Sequence, residues 1–101
     1  MILEPGRIEW IVTRPGWRIG FSTEDGEAFA HAEITEWNRL NALQSRVAWA
    51  EFQRGLTDRG FQRVFCVIDL NDAQMLSFAP KYGFIREPQP YAGHAIFWQD
   101  L

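Results

Sequence analysis

The stretch from Gly60 to Phe84, GFQRVFCVIDLNDAQMLSFAPKYGF, constrains the fold of this chain more than any other. Arg63 to Leu70 is a nearly unbroken apolar run, rich in β-branched and aromatic residues, too short for an ordinary helix and bounded by Gly60 and by Asn71-Asp72. Such a run predicts a central strand buried on both faces. Asn71 then predicts a helix cap, with Gln74 placed to reach back to the cap amide and Met75, Leu76, Phe78 and Ala79 following at helical spacing. Pro80 should stop that helix, Gly83 can take a left-handed closing turn, and Phe84 and Ile85 open a new apolar segment.

A chain of 101 residues suits one core, so residues 1 to 101 are expected to form a single domain. Apolar residues make up 47%, with five Trp and eight Phe, which excludes a disordered chain. The net charge of −3 offers no electrostatic reason to expect nucleic acid as a partner. Cys66 is the single cysteine; it sits inside the buried run, cannot form an internal disulfide and is poorly placed for nucleophilic work, which fits a reducing, cytoplasmic setting. Two histidines and one buried cysteine give no metal-ligand spacing. Met1 to Pro5 lacks a basic segment followed by an apolar core, and no stretch reaches membrane-spanning length, so neither secretion nor membrane insertion is expected.

From the start, Arg7 to Arg14 alternates as a strand, Pro15-Gly16 marks a turn, and Trp17, Ile19 and Phe21 alternate with Arg18, Gly20 and Ser22 as a hairpin partner. Glu24-Asp25-Gly26 is a second turn signal. A third strand follows over Glu27 to Ile34, with Phe29, His31 and Glu33 on one face and the small residues Ala28, Ala30 and Ala32 with Ile34 on the other. Thr35 is a plausible N-cap for a long helix over Glu36 to Arg59, with Gly55 as its weak point. Wound at 3.6 residues per turn, Leu40, Leu43, Val47 and Ala50 make one apolar stripe and Trp49, Phe52 and Leu56 a second, nearly opposite. Either the helix bends or ends earlier, so that both groups meet one core, or Trp49, Phe52 and Leu56 form an exposed aromatic surface for a partner protein or a second copy of the chain. Pro88 and Pro90 make Arg86 to Pro90 an irregular link, and Tyr91 to Trp98 reads as a last strand with Ala95 and Phe97 on one face.

A buried strand ending at Asn71, a short helix, then Lys81-Tyr82-Gly83-Phe84 and a new strand resembles the C-terminal half of the GCN5-related N-acetyltransferase (GNAT) superfamily. The resemblance spans residues 7 to 98 and is firmest over 61 to 84. It implies an α/β (α+β) fold, a mixed and mainly antiparallel sheet in the order β-β-β-α-β-α-β, without the family's usual first strand and paired N-terminal helices.

The resemblance also implies where chemistry would sit. In the family the acetyl-CoA pyrophosphate rests on backbone amides of a glycine-rich loop opening the long helix, of the form Gln/Arg-x-x-Gly-x-Gly/Ala. The matching segment here, Thr35 to Ala42, has no glycine, places bulky Trp37 where the backbone should come close, and carries Glu36 with Glu33 just before it; Trp37, Asn38 and Arg39 would have to make any phosphate site. Asn71 matches a residue that often contacts the cofactor arm, though capping explains it equally. The tyrosine that protonates the leaving thiolate in many members falls at Ala79, leaving Tyr82 as the nearest hydroxyl. Glu33 resembles in position the family's general base, with His31 two residues earlier on the same face able to tune it.

Two functions compete. The favoured one is a catalytically degenerate GNAT scaffold with no cofactor that works by binding another protein, similar to short GNAT-like bacteriophage proteins meeting a host or virion partner in the host cytoplasm. The alternative is an acetyl-CoA-dependent N-acetyltransferase with Glu33 as base.

Overall fold

Alternation at period two builds the first half of the molecule into three antiparallel strands, β1 (Glu9–Arg14), β2 (Trp17–Glu24) and β3 (Glu27–Ile34), in a computed structural model that describes residues 7–101. The first strand starts two residues later than the alternation suggests. Between β2 and β3, Asp25 and Gly26 both adopt positive φ, 52° and 79°, the two-residue turn whose twist matches that of a hairpin. Ile11 is bulged out of the β1–β2 ladder, and Gly55 on the long helix leaves room for it: a Cβ on Gly55 would meet Ile11 Cγ2 at 3.0 Å.

The long helix, α1 (Arg39–Asp58), begins three residues after the expected start, and its cap is Asn38 rather than Thr35. The amides of Thr35 and Glu36 both donate to the Gly16 carbonyl, at 2.8 and 3.0 Å, which ties this segment to the first hairpin turn and keeps it out of the helix. Asn38 then takes extended geometry, and its Oδ1 accepts from the Asn41 amide at 2.8 Å.

One face of α1 covers the sheet, and it is the stripe of Ala48, Phe52 and Leu56. Phe52 and Leu56 are wholly buried, and Trp49 packs at 5.0–5.7 Å between ring centroids against Phe52, Phe84 and Tyr82. An exposed surface of Trp49, Phe52 and Leu56 is thereby corrected: these residues belong to the core. Leu40, Leu43 and Val47, on the opposite side, are instead 62%, 61% and 77% exposed.

Strand β4 (Arg63–Asp69) leads to α2 (Ala73–Phe78) and a 3-10 turn (Ala79–Tyr82) that holds Pro80 in its first positions. The cap of α2 is Asp72, whose Oδ1 accepts from Met75 N at 3.1 Å, one residue beyond the expected Asn71. The expected reciprocal Gln74 contact falls out of register with that shift. Gly83 closes the turn with φ 92°, as its position suggests. Two further strands finish the chain, a two-residue β5 (Ile85–Arg86) and β6 (His94–Asp100).

The sheet runs β1-β2-β3-β4-β6-β5, antiparallel at every junction except β3–β4. Both α1 and the 3-10 turn pack on the face that carries Val64, Ile68, Ala95 and Phe97; Gln53 and Gln99 join α1 to this face at 2.7 Å, and Gln99 in turn donates to the Tyr82 carbonyl. On the other face Phe29, Phe65 and Trp98 lie in register across three strands and are only half-buried, so β4 is not buried on both sides as its apolar run suggests. Among the described residues no helix is long and apolar enough to cross a membrane.

Candidate functional site

The parallel junction in the sheet is short. Strands β3 and β4 pair only at Ala28 with Val64 and Phe29 with Phe65, while β3 stays paired to β2 as far as Ile34 and β4 to β6 as far as Asp69. Beyond Phe29 and Phe65 the two strands therefore separate, and the sheet opens into a V-shaped cleft of about 290 Å³. Ala30 and Ala32 line one wall and Cys66 and Ile68 the other, and the small alanines of β3 keep the gap wide. Ser45 and Trp49 of α1, with Phe78 and Tyr82, close it from the helical side.

Most polar groups in this cleft are already engaged, whereas the buried indole Nε1 atoms of the lining residues Trp17 and Trp49 have no hydrogen-bond partner. Tyr82 Oη lies 2.6 Å from Ser45 Oγ, and the Ser45 hydroxyl donates to the Ala42 carbonyl at 2.8 Å. Ser45 has one proton, so the phenol is the donor of the pair. His31, half-buried, is 2.7 Å from Ser22 Oγ, and burial lowers its pKa from the ordinary 6.5, which keeps the imidazole neutral at pH 7. Burial also pushes the Cys66 thiol up to about 12, so it is no nucleophile. Asp69 and Asp72 edge the cleft and accept the backbone amides of Asn71 and Met75.

Glu33 is not in this group. It points to solvent and pairs with Arg18 at 3.0 Å, so its carboxylate and the His31 ring each have a separate partner instead of tuning one another. Trp37 does reach the cleft, where its ring stands 5.3 Å from Phe78 and spans the mouth between the β3–α1 loop and α2. Asn38 and Arg39 are exposed at the start of α1, and Asn71 is exposed before α2. Of the amides that could hold an anion there, those of Thr35, Glu36, Asn41 and Ala42 are bonded within the chain. The structure thus gathers His31, Tyr82 and Trp37 around one cleft and leaves Glu33, Asn38, Arg39 and Asn71 outside its lining.

Ser45 and Phe78 are cleft residues that the sequence did not single out. Ser45 could have been noticed as a polar residue one turn after Asn41 on the helix face that proves to be buried; Phe78 has no such signal.

The His31 environment has a measurable consequence. A histidine whose folded pKa lies below its unfolded value of 6.5 binds its proton more readily when unfolded, so its contribution to stability is complete above pH 6.5 and lost as pH falls toward the folded pKa. The melting temperature is expected to drop between pH 7 and pH 5, with a shallower drop in His31→Asn measured over the same range. Equal slopes for the two proteins would show that the ring is not desolvated.

The sequence matches no protein-family model and no curated protein. Its fold does have solved counterparts. The GNAT domain of S. lividans PAT superposes with a TM-score of 0.64 at 12% identity, over 84% of this chain and 53% of that one. A protein of Agrobacterium tumefaciens described as an acetyltransferase superposes at 0.57 and 18% identity, over 94% and 75%. The chain thus spans about half the length of the S. lividans domain, and at these identities the likeness establishes a GNAT-like fold.

Proposed function

We propose that this GNAT-fold protein has kept the scaffold without the acyl-transfer chemistry and works by binding another protein. The observation that carries this reading is the Trp37–Phe78 contact at 5.3 Å, which spans the mouth of the splay with two large rings. The start of α1 supports it, because the turn before it has no glycine, carries the bulky Trp37 and is tied to the Gly16 carbonyl by the Thr35 and Glu36 amides. Charge supports it as well: Asp69 and Asp72 edge the cleft, and Arg18, the cation that lines it, is paired with Glu33. A diphosphate would meet little positive potential there. A bacteriophage setting, with a host or virion protein as partner, rests on the sequence resemblance alone.

Titration with acetyl-CoA and with CoA tests the reading. Ligand at a hundredfold excess over its dissociation constant stabilises a fold by about 2.7 kcal/mol, which in a domain this size raises the melting temperature by more than about 10 °C. We expect no shift at 1 mM (about a hundredfold above a 10 µM constant). A micromolar constant by calorimetry would overturn it.

The second reading, an acetyl-CoA-dependent N-acetyltransferase, is favoured by the cleft itself, since the β3–β4 splay is open and holds a neutral imidazole and a phenol. In that case His31, which lines the cleft, is better placed than the ion-paired Glu33 to take a proton. Trp37 would have to swing away from Phe78 first.

A further inference from the structure

We infer that the solvent side of α1 is a self-association surface, on which two copies of this chain pair through parallel α1 helices. The inference is independent of whether the cleft takes a coenzyme. Leu40, Leu43 and Val47 are 62%, 61% and 77% exposed, on the side of the helix away from the buried Ala48, Phe52 and Leu56. With Ala50 they repeat at intervals of three, four and three residues, the a and d spacing of a two-stranded coiled coil. Arg54, at the next a position, ends the apolar seam, which runs for about three turns.

The flanking charges choose the occupant and its direction. Arg46 and Glu51 sit on opposite flanks of this stripe, at g and e positions five residues apart. When two such helices run parallel, g of one copy lies beside the following e of the other, so Arg46 meets the second copy's Glu51 twice across the two-fold axis. An antiparallel pair would set Arg46 against Arg46. Glu51 already holds Arg14 at 3.1 Å on the protein surface, an exposed pair that can remain in place with a second arginine added. A seam built from three large aliphatic side chains per copy falls below the standard interface size, so the dimer belongs to the weak, transient class.

Sedimentation equilibrium from 10 µM to 1 mM reads this directly, with the apparent mass expected to rise from 11.8 kDa toward twice that value. All the positions to be changed are exposed, and each variant's melting temperature confirms that it is folded. Val47→Glu should abolish the rise. Arg46→Glu and Glu51→Arg should each weaken association by about tenfold, since two attractive pairs become repulsive, and the double variant should recover it. Leu40→Cys should form an intermolecular disulfide with itself on mild oxidation, as only parallel helices bring Leu40 beside Leu40, while the buried Cys66 stays unreactive. A constant 11.8 kDa up to 1 mM overturns the proposal. So does a dimer that survives Val47→Glu, or one in which Leu40→Cys couples only to Ala50→Cys, the antiparallel register.

Discussion

Replacing Phe52 by alanine is expected to cost about 3–5 kcal/mol of stability, the range for deleting a wholly buried aromatic side chain. The ring has no exposed surface, sits 5.0 Å from Trp49 and belongs to the cluster that includes Leu56, Val64 and Phe97, where α1 meets the middle of the sheet. Removing it leaves a cavity that the close-packed neighbours can fill only in part. A domain of this size loses about 4–8 °C of melting temperature per kcal/mol, so the variant should melt at least about 12 °C lower or be unfolded at room temperature. Val47→Ala on the same helix should stay within about 0.5 kcal/mol, because Val47 is 77% exposed. Thermal and urea unfolding of the two variants side by side decides which stripe of α1 is the inner one. Similar melting temperatures for both would refute the packing described above.

A valine at position 20 should cost about 3 kcal/mol, the upper part of the range for overpacking. Gly20 is buried in the middle of β2, and a Cβ there would lie 2.4 Å from the Glu9 carbonyl oxygen and 2.8 Å from Trp10 Cε3. The first of these is backbone and cannot rotate away. Strand β1 would have to move off β2, which loosens the pairing around Trp10 and the burial of Val12, 1% exposed in the core. Urea unfolding gives the total effect, and amide exchange locates it: protection should fall first at β1 and persist at β4 and β6. A Gly20→Val protein with unchanged exchange in β1 would show that the two strands do not approach as closely as stated.

These outcomes depend on distinctions that residue patterns carry unequally. Strand β3 was legible to the residue, because alternation over Glu27 to Ile34 is bounded by a turn and by the change to helical composition. Gly83 was legible too, since a residue that follows Pro80 and must reverse the chain needs positive φ. The two helix starts were not. Thr35 and Asn38 are both good caps, as are Asn71 and Asp72, and a single long-range contact selects between the first pair: the Gly16 carbonyl, nineteen positions before Thr35, takes the Thr35 and Glu36 amides.

The candidate site shows the same division. That Trp37 is too bulky for a glycine position was visible from its identity, but its seat against Phe78 joins residues 41 positions apart and required the fold. Glu33 and His31 share a face of one strand, as alternation requires. Their neighbours on β2, Arg18 and Ser22, are set by the β2–β3 register and send the two side chains to different partners.

The order of residues by itself determined the kind of most elements, the alternating faces of the strands and the absence of a glycine cradle at the start of the long helix, because each follows from local sterics and side-chain chemistry. Only the tertiary structure decided which of two equally apolar stripes on α1 would be buried. It also decided where β3 and β4 part and whether the resulting cleft would be spanned by Trp37 and Phe78. Those outcomes depend on contacts between segments far apart in the chain, which local preference leaves open until the whole sheet has formed.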